Sequence, residues 1–278
     1  MDNKLVVSHN AGFFSCCTIR MILIIRFINE NKIFPIVDSS NQWSFYKDQP
    51  GDITQLFFKN IDDEEPVVMT KDVLESEIGD GTSPYNLLDF ENLNILVKRY
   101  FSPSDTVLDI YNQLLEKYSI DFDNTIAVLY RGNDKHKETN LPSHSEMIEK
   151  IDELVIKYPN HKLLIQSDEV DFYRSVMEKY PDVIYFHEVI KIPKNDYSAI
   201  QYNVPPGQRT QQAIIFLSIM LIISKCSKVI LNSGNVGMWC SLFRGNSDEI
   251  CQYLNYKEYI YGVYNPLYGT EKEYWIEN

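Results

Sequence analysis

Ile126-Ala-Val-Leu-Tyr-Arg-Gly-Asn-Asp-Lys135 runs an apolar strand straight into glycine and fixed charge, and Val229-Ile-Leu-Asn-Ser-Gly-Asn-Val-Gly-Met-Trp239 repeats that design far down the chain. In an open α/β sheet, ligands sit beyond the carboxyl ends of the strands, where helix N-termini and loop side chains meet an anion. The first segment offers cations and the second offers backbone N–H groups. Together they read as a cradle for a nucleotide diphosphate.

Outward from these segments, short β-branched runs alternate with helical periods. The pattern predicts strands at 125–130, 162–167, 183–186 and 228–232, and helices near 144–158, 169–180, 210–224 and 235–244. Such alternation implies parallel strands joined by right-handed crossovers. Ser143-His-Ser-Glu146 fits a capping box, and Ile148, Ile151, Leu154, Val155 and Tyr158 then fall on one helix face. The chain opens in the same way, with a strand at Lys4 to Ser8, a loop His9-Asn-Ala-Gly-Phe-Phe14, a helix from about Ser15 to Asn31 and a strand at Ile33 to Asp38. Two more helical patterns lie near 86–101 and 105–118. The expected class is α/β with two Rossmann-like domains, each a parallel sheet flanked by helices, at 1–120 and 121–252. The tail, 253–278, is rich in Tyr and holds Trp275, and it is expected to return across the hinge to the first domain.

Composition narrows the ligand. A net charge of -13 repels a phosphate backbone, so nucleic acid is excluded as a general partner, and any anion must be held by locally placed Arg and Lys. The 44% hydrophobic content is ample for packed cores. Cys16, Cys17, Cys226, Cys240 and Cys251 are odd in number and form no CxxC pair, which suits buried free thiols. No basic region precedes a long apolar run at the N-terminus, so no signal peptide is expected. The apolar run from Ala213 to Ile223 is roughly half of the ~20 residues that a bilayer requires, and Thr18 to Ile28 carries Arg20 and Arg26. The first is expected to be a buried helix, the second a core helix with a wet edge. The expected setting is the cytoplasm or another reducing intracellular compartment, with no membrane span.

Four polar clusters follow the carboxyl ends of predicted strands: Arg131 to Lys135, Ser167 to Glu169, His187 to Glu188, and Asn232 to Asn235. All four are expected to face one crevice. The guanidinium of Arg131 can grip two phosphate oxygens, and Lys135 adds a mobile charge. The alternative is an exposed pairing of these cations with Asp134 and Glu138, which is common and weak. Gly234 lets the backbone approach a ligand closely, although a Ser-Gly-Asn turn by itself signals only a helix cap. The long connection at 187–209, with Pro193, Pro205, Pro206 and Gly207, reads as a lid or acceptor loop. Asp121-Phe-Asp123 has the composition of a metal-diphosphate bridge but precedes a strand, so it reads as an interdomain turn. No metal-ligand spacing is present. A kinase-like reading is disfavoured because no Gly-x-x-x-x-Gly-Lys-Ser/Thr loop occurs.

Leu129-Tyr-Arg-Gly-Asn-Asp-Lys135 resembles the His-x-Arg-Arg-Thr-Asp-Lys motif of α-1,6-fucosyltransferases and nodulation fucosyltransferases. Ser167-Asp-Glu169 is similar to their Thr-Asp-Asp segment, and Lys228 to Trp239 to their final strand-turn-helix. The resemblance covers about the second half of the chain, while the first half matches only in general outline. Leu129 stands where the family has His, Gly132 where it has a second Arg, and Asn133 where it has Thr. The resemblance implies a two-domain GT-B glycosyltransferase, inverting and metal-independent, with a nucleotide diphosphate sugar as donor substrate and no separate cofactor. It favours a GDP-sugar over a UDP-sugar, possible fucose transfer, and a glycan or other hydroxyl acceptor. Arg131 would bind the β-phosphate and stabilise the departing diphosphate, flanked by Asp134 and Lys135. Asp168, between Ser167 and Glu169, would face the nucleobase or ribose. Ser233, Gly234, Asn235 and Val236 would supply backbone donors to phosphate oxygens. Asn10 and Gly12 would meet the acceptor and close over the donor. Glu138, shortly after the Asp-Lys pair, is the first candidate for general base, with His9 and Asp38 in reserve. The rival is a non-catalytic nucleotide or sugar binder of the same fold.

Overall fold

A computed structural model of the chain describes residues 3–59, 78, 81–133, 135, 141–193, 200–254 and 275–278. It begins with the expected strand-helix-strand unit. β1 (Lys4–Val6) and β2 (Ile36–Asp38) pair in parallel, and α1 (Phe13–Asn31) connects them. Then follow α2 (Thr54–Phe57), β3 (Phe58–Lys59), α3 (Phe90–Phe101), β4 (Ser102–Pro103) and α4 (Asp105–Tyr118). β3 and β4 form a small antiparallel pair. The side chain of Asp89 accepts from Asn92 N–H and that of Ser104 from Val107 N–H, which fixes the starts of α3 and α4.

The second half is built on one larger sheet. Its strands are β5 (Thr125–Tyr130), β6 (Lys162–Ser167), β7 (Ile184–Tyr185), β8 (Lys228–Asn232), β9 (Ile250–Tyr253) and β10 (Trp275–Glu277). The helices α5 (His144–Lys157), α6 (Val170–Lys179), α7 (Arg209–Lys225) and α8 (Asn235–Arg244) connect them. Strand order is β10-β9-β8-β5-β6-β7, parallel except for β10, which runs antiparallel to β9. Helices cover both faces, so β5 is buried at all six positions. Ile126, Val128 and Tyr130 meet Met147 and Ile151 of α5 and Phe172 and Val176 of α6. Ala127 and Leu129 point the other way, into the cluster that holds α7 and α8. Each fully buried aliphatic side chain here contributes roughly 1.5–3 kcal/mol. The expected capping box at Ser143 and Glu146 is present.

This strand order fixes where a ligand can sit. From β5 the chain moves outward through β6 to β7, then crosses to β8 and β9 on the opposite side. The reversal lies between β5 and β8, so their carboxyl ends, Tyr130-Arg131 and Asn232-Ser233, flank the crevice at the switch point.

Three features depart from the sequence reading. Arg20 is 1% exposed instead of lying on a wet edge: it donates to Ser39 Oγ at 2.7 Å, its guanidinium lies 5.7 Å from the Phe101 ring, and burial lowers its pKa to about 10. Arg26 alone takes the exposed edge. The described end of the tail joins the sheet of the second half and not the first, because β10 completes the edge beside β9 and Glu277 meets Lys150 at 2.8 Å. Residues 255–274 of that tail lie outside the described residues. Finally, the aromatic side of α1 shares a continuous core with α7 and α8, with the Phe14 ring 5.5 Å from Phe216 and 6.2 Å from Trp239. All five cysteines are free and buried, and burial raises the thiol of Cys251 to about 11 and that of Cys240 to about 12. No helix among the described residues is long and apolar enough to cross a membrane.

Candidate active site

Arg131 and Asn232 lock the two strand ends together. The Arg131 N–H donates to Asn232 Oδ1 at 2.8 Å, and Asn232 Nδ2 donates back to the Arg131 carbonyl at 3.1 Å. A buried amide that satisfies both backbone groups of its neighbour fixes the direction in which the Arg131 side chain leaves the sheet. That side chain lines a cavity of about 270 Å³ together with Lys135, Ser167, Asp168 and the turn from Asn232 to Gly237. The two segments that opened the sequence reading thus meet at one site.

The turn is shaped for close approach. Gly234 has φ +136°, and a Cβ there would lie 3.4 Å from Lys135 Cε and 3.9 Å from its Nζ, so the ammonium hangs over the turn. Ser233 N–H is spent on the Tyr253 carbonyl at 2.9 Å, and Gly234 N–H on the Gly81 carbonyl at 2.8 Å. These two expected phosphate donors are therefore occupied by the scaffold. The donors of the first turn of α8, on Asn235, Val236 and Gly237, line the cavity instead, because the first helical bond is Met238 N–H to the Gly234 carbonyl. The Asn235 side chain is held from α1, where Thr18 Oγ1 donates to its Oδ1 at 2.7 Å while accepting from Trp239 Nε1 at 2.9 Å.

Asp168 is 6% exposed and forms an ion pair with Arg131, while its other oxygen accepts from Gly132 N–H at 2.8 Å. The expected base- or ribose-facing carboxylate thus neutralises the expected phosphate-binding cation. Glu169 turns away from the cavity: its carboxylate lies 2.8 Å from His144 Nε2 and fills the space beside Gly132. A Cβ at residue 132 would overlap Glu169 Oε2 and come within 2.8 Å of Tyr130 Cε1, so a side chain where the resembling motif has its second Arg requires Glu169 and Tyr130 to shift. The cluster at His187 and Glu188 also faces elsewhere. Glu188 is gathered by Lys117 at 2.5 Å and by the Tyr118 hydroxyl at 2.8 Å, since β7 is only two residues long and stops short of the crevice. Asp134 and Glu138 lie outside the described residues.

From the first half, Ala11 to Ser15 and Tyr46 enter the cavity wall. Gly12 is among them. Asn10 is not; its side chain closes the neighbouring loop through Ser44 N–H at 2.8 Å and the Asn41 carbonyl at 3.0 Å. Ser15 Oγ lies 3.0 Å from His9 Nε2, and partial burial lowers the His9 pKa, so the imidazole is neutral at pH 7. Asp38 is committed to Lys4 at 2.9 Å. Val189, Ile190 and Val204 of the long connection line the cavity, as expected for a loop beside a crevice; residues 194–199 of that connection lie outside the described residues. Among the described residues, no group of three or more His, Cys, Asp or Glu is placed to hold a metal ion.

No protein-family model and no curated protein matches the sequence. Solved structures do. NodZ α-1,6-fucosyltransferase co-crystallised with GDP aligns with a TM-score of 0.56 at 13% identity, covering 91% of this chain and 95% of that one. The same enzyme soaked with GDP-fucose aligns at 0.54 and 12%, and fucosyltransferase NodZ from Bradyrhizobium at 0.53 and 12%, each over 91% of this chain. The chain has a fucosyltransferase-like fold.

Within this fucosyltransferase-like fold, the cavity residues that sequence reasoning missed include Tyr46, Gln166 and Arg209. Gln166 left a signal, a polar side chain inside the otherwise apolar Leu163-Leu-Ile of β6. Arg209 left another, because a cation in the first turn of a helix opposes the macrodipole. Asp48 compensates that end of α7 by accepting from Gly207, Arg209 and Thr210 N–H at 2.7, 3.4 and 3.1 Å. Partial burial raises the Asp48 pKa, but these donors outweigh it and the net direction is down. A carboxylate depressed in the folded state stabilises above its unfolded pKa of about 3.9 and loses that contribution as pH falls through the folded value. Asp48→Asn is therefore expected to melt slightly below the wild type at pH 7, with the gap closing below about pH 4; equal melting curves at pH 7 contradict the capping role.

Proposed function

We propose that this protein is a glycosyltransferase of GT-B type that moves a sugar, with fucose the first candidate, from a nucleotide diphosphate donor to an acceptor hydroxyl, with inversion and without a metal ion. The observation that carries this reading is the convergence of Arg131, Lys135 and the α8 N-terminus on one cavity at the switch point of a fucosyltransferase-like sheet. Preorganised cations and helix dipoles stabilise the charge that develops on a departing diphosphate, which is the role a divalent ion plays elsewhere. Residues 121–252 act as the donor side and 1–120 as the acceptor side in this proposal. GDP is the favoured nucleotide, since the structural neighbours were crystallised with GDP or soaked with GDP-fucose.

Transfer requires a base for the acceptor hydroxyl as its oxygen attacks the anomeric carbon and the bond to the phosphate oxygen breaks. Glu138 is assigned that role, with His9 second because its neutral imidazole reaches the cavity wall through Ser15. Glu138→Gln is expected to abolish transfer while leaving nucleotide affinity within about twofold. If the variant transfers sugar at the wild-type rate, Glu138 is excluded and His9→Gln becomes the test.

The loss of the second motif Arg at Gly132 favours one rival, a non-catalytic nucleotide or sugar binder. Donor hydrolysis separates the two. Incubation with GDP-fucose and the common UDP- and ADP-sugars in EDTA is expected to release the nucleotide slowly from one of them. A thermal shift with nucleotide but no release over days identifies a binder.

A further inference from the structure

The position that the resembling motif gives to a second arginine is closed in this chain by Glu169. We propose that Arg209, on the opposite wall, supplies the missing cation and binds the diphosphate together with Arg131 and Lys135. This assignment deepens the functional reading above and rests on it only for the identity of the attached sugar and base.

Four observations carry it. Arg209 lines the same cavity as Arg131, Lys135 and the first turn of α8. Its Nε is buried and has no hydrogen-bond acceptor among the described residues, a desolvation cost that an incoming anionic oxygen removes. Its place in the first turn of α7 is electrostatically unfavourable in the absence of an anion, and the structure spends Asp48 on neutralising the backbone there without an ion pair to the guanidinium. The wall that carries Arg209 is tied to Tyr46, which lines the same cavity as Arg131: Thr210 Oγ1 donates to the Tyr46 carbonyl at 2.8 Å.

Charge count supports the same assignment. A nucleotide-sugar diphosphate carries two negative charges at neutral pH, and the diphosphate gains a third when the sugar departs. Among the described cavity residues, Arg131 and Lys135 offer two cations, and Asp168 cancels one of them through its pair with Arg131. Arg209 adds a third cation to the same cavity without any divalent ion.

Inorganic pyrophosphate isolates the anion from the base and sugar. Titration calorimetry in EDTA is expected to show saturable binding by the wild type, about 10- to 100-fold weaker binding by Arg209→Ala, and an intermediate affinity for Arg209→Lys. The ligand-free melting temperature of Arg209→Ala is expected to be no lower than that of the wild type, because Asp48 accepts from the backbone N–H groups of Gly207, Arg209 and Thr210, which the substitution keeps. Equal pyrophosphate affinity in the two proteins overturns the assignment, as does a lower ligand-free melting temperature, which makes Arg209 a structural residue. A wild type that binds neither pyrophosphate nor GDP overturns both the assignment and the transferase reading. A wild type that binds pyrophosphate through Arg209 but releases no nucleotide from any sugar donor leaves the assignment standing and ends the transferase reading alone.

Discussion

Arg131→Ala is expected to lower turnover by about 10²- to 10³-fold, the usual effect of removing one preorganised charge stabiliser. The residue stands at the switch point, its backbone fixed by Asn232 and its side chain in the cavity. The substitution also strands Asp168, which is 6% exposed and, among the described residues, keeps the N–H of Gly132 as its side-chain partner. Breaking a buried ion pair by removing one partner costs roughly 3–5 kcal/mol, so the variant is expected to melt at a lower temperature as well. Combining it with Asp168→Asn separates the two effects: the double variant regains stability but not turnover. Recovery of turnover in the double variant would show that Arg131 serves only to neutralise Asp168.

Gly81→Ala is expected to damage the nucleotide site from behind. Gly81 has φ +75°, and a Cβ there would lie 2.6 Å from the Gly234 carbonyl carbon and 2.8 Å from Asn235 N. The nearest contacts are all backbone atoms of the Gly234–Asn235 peptide, which leaves nothing flexible to yield, so the turn before α8 must move. Tyr85 adds to the constraint, its hydroxyl lying within 3.2 Å of the Gly81 carbonyl and 3.1 Å of the Gly234 carbonyl. Overpacking of this kind costs about 1–3 kcal/mol, and displacing the helix terminus removes contacts worth roughly 0.3–1 kcal/mol each to an anion. The expected result is a lower melting temperature together with nucleotide binding weakened by tenfold or more. Unchanged affinity for GDP would mean that the α8 turn does not hold the phosphates.

The sheet of the second half was legible in the chain because its strands are buried on both faces. Thr125 to Tyr130, Lys162 to Ser167 and Lys228 to Asn232 are bounded as the sequence reading had them, since apolar runs end sharply where the polar crevice begins. Elements that depend on tertiary partners were read less well. β7 shrank to Ile184–Tyr185, and Glu188 went to Lys117 and Tyr118, residues 70 or more positions earlier in the chain. Arg20 reads as an edge residue from helical spacing alone; its burial depends on Ser39 and Thr54, which no local pattern connects to it. The site divides in the same way. Arg131 and Lys135 follow directly from a strand end, whereas the diversion of Ser233 and Gly234 N–H to Tyr253 and Gly81 depends on a segment more than a hundred residues away for the second of them. Arg209 lay in a connection whose sequence announced a loop but not the side of the cavity it would join.

The central claim is that distant stretches of this chain clasp a diphosphate at one rim unaided by a divalent ion. Calorimetric titration of GDP into the wild type and Arg131→Ala, each in EDTA, tests it most directly. Saturable binding by the wild type that is weakened at least tenfold in the variant is the expected result. Equal affinities, or wild-type binding that requires added magnesium or manganese, would contradict it.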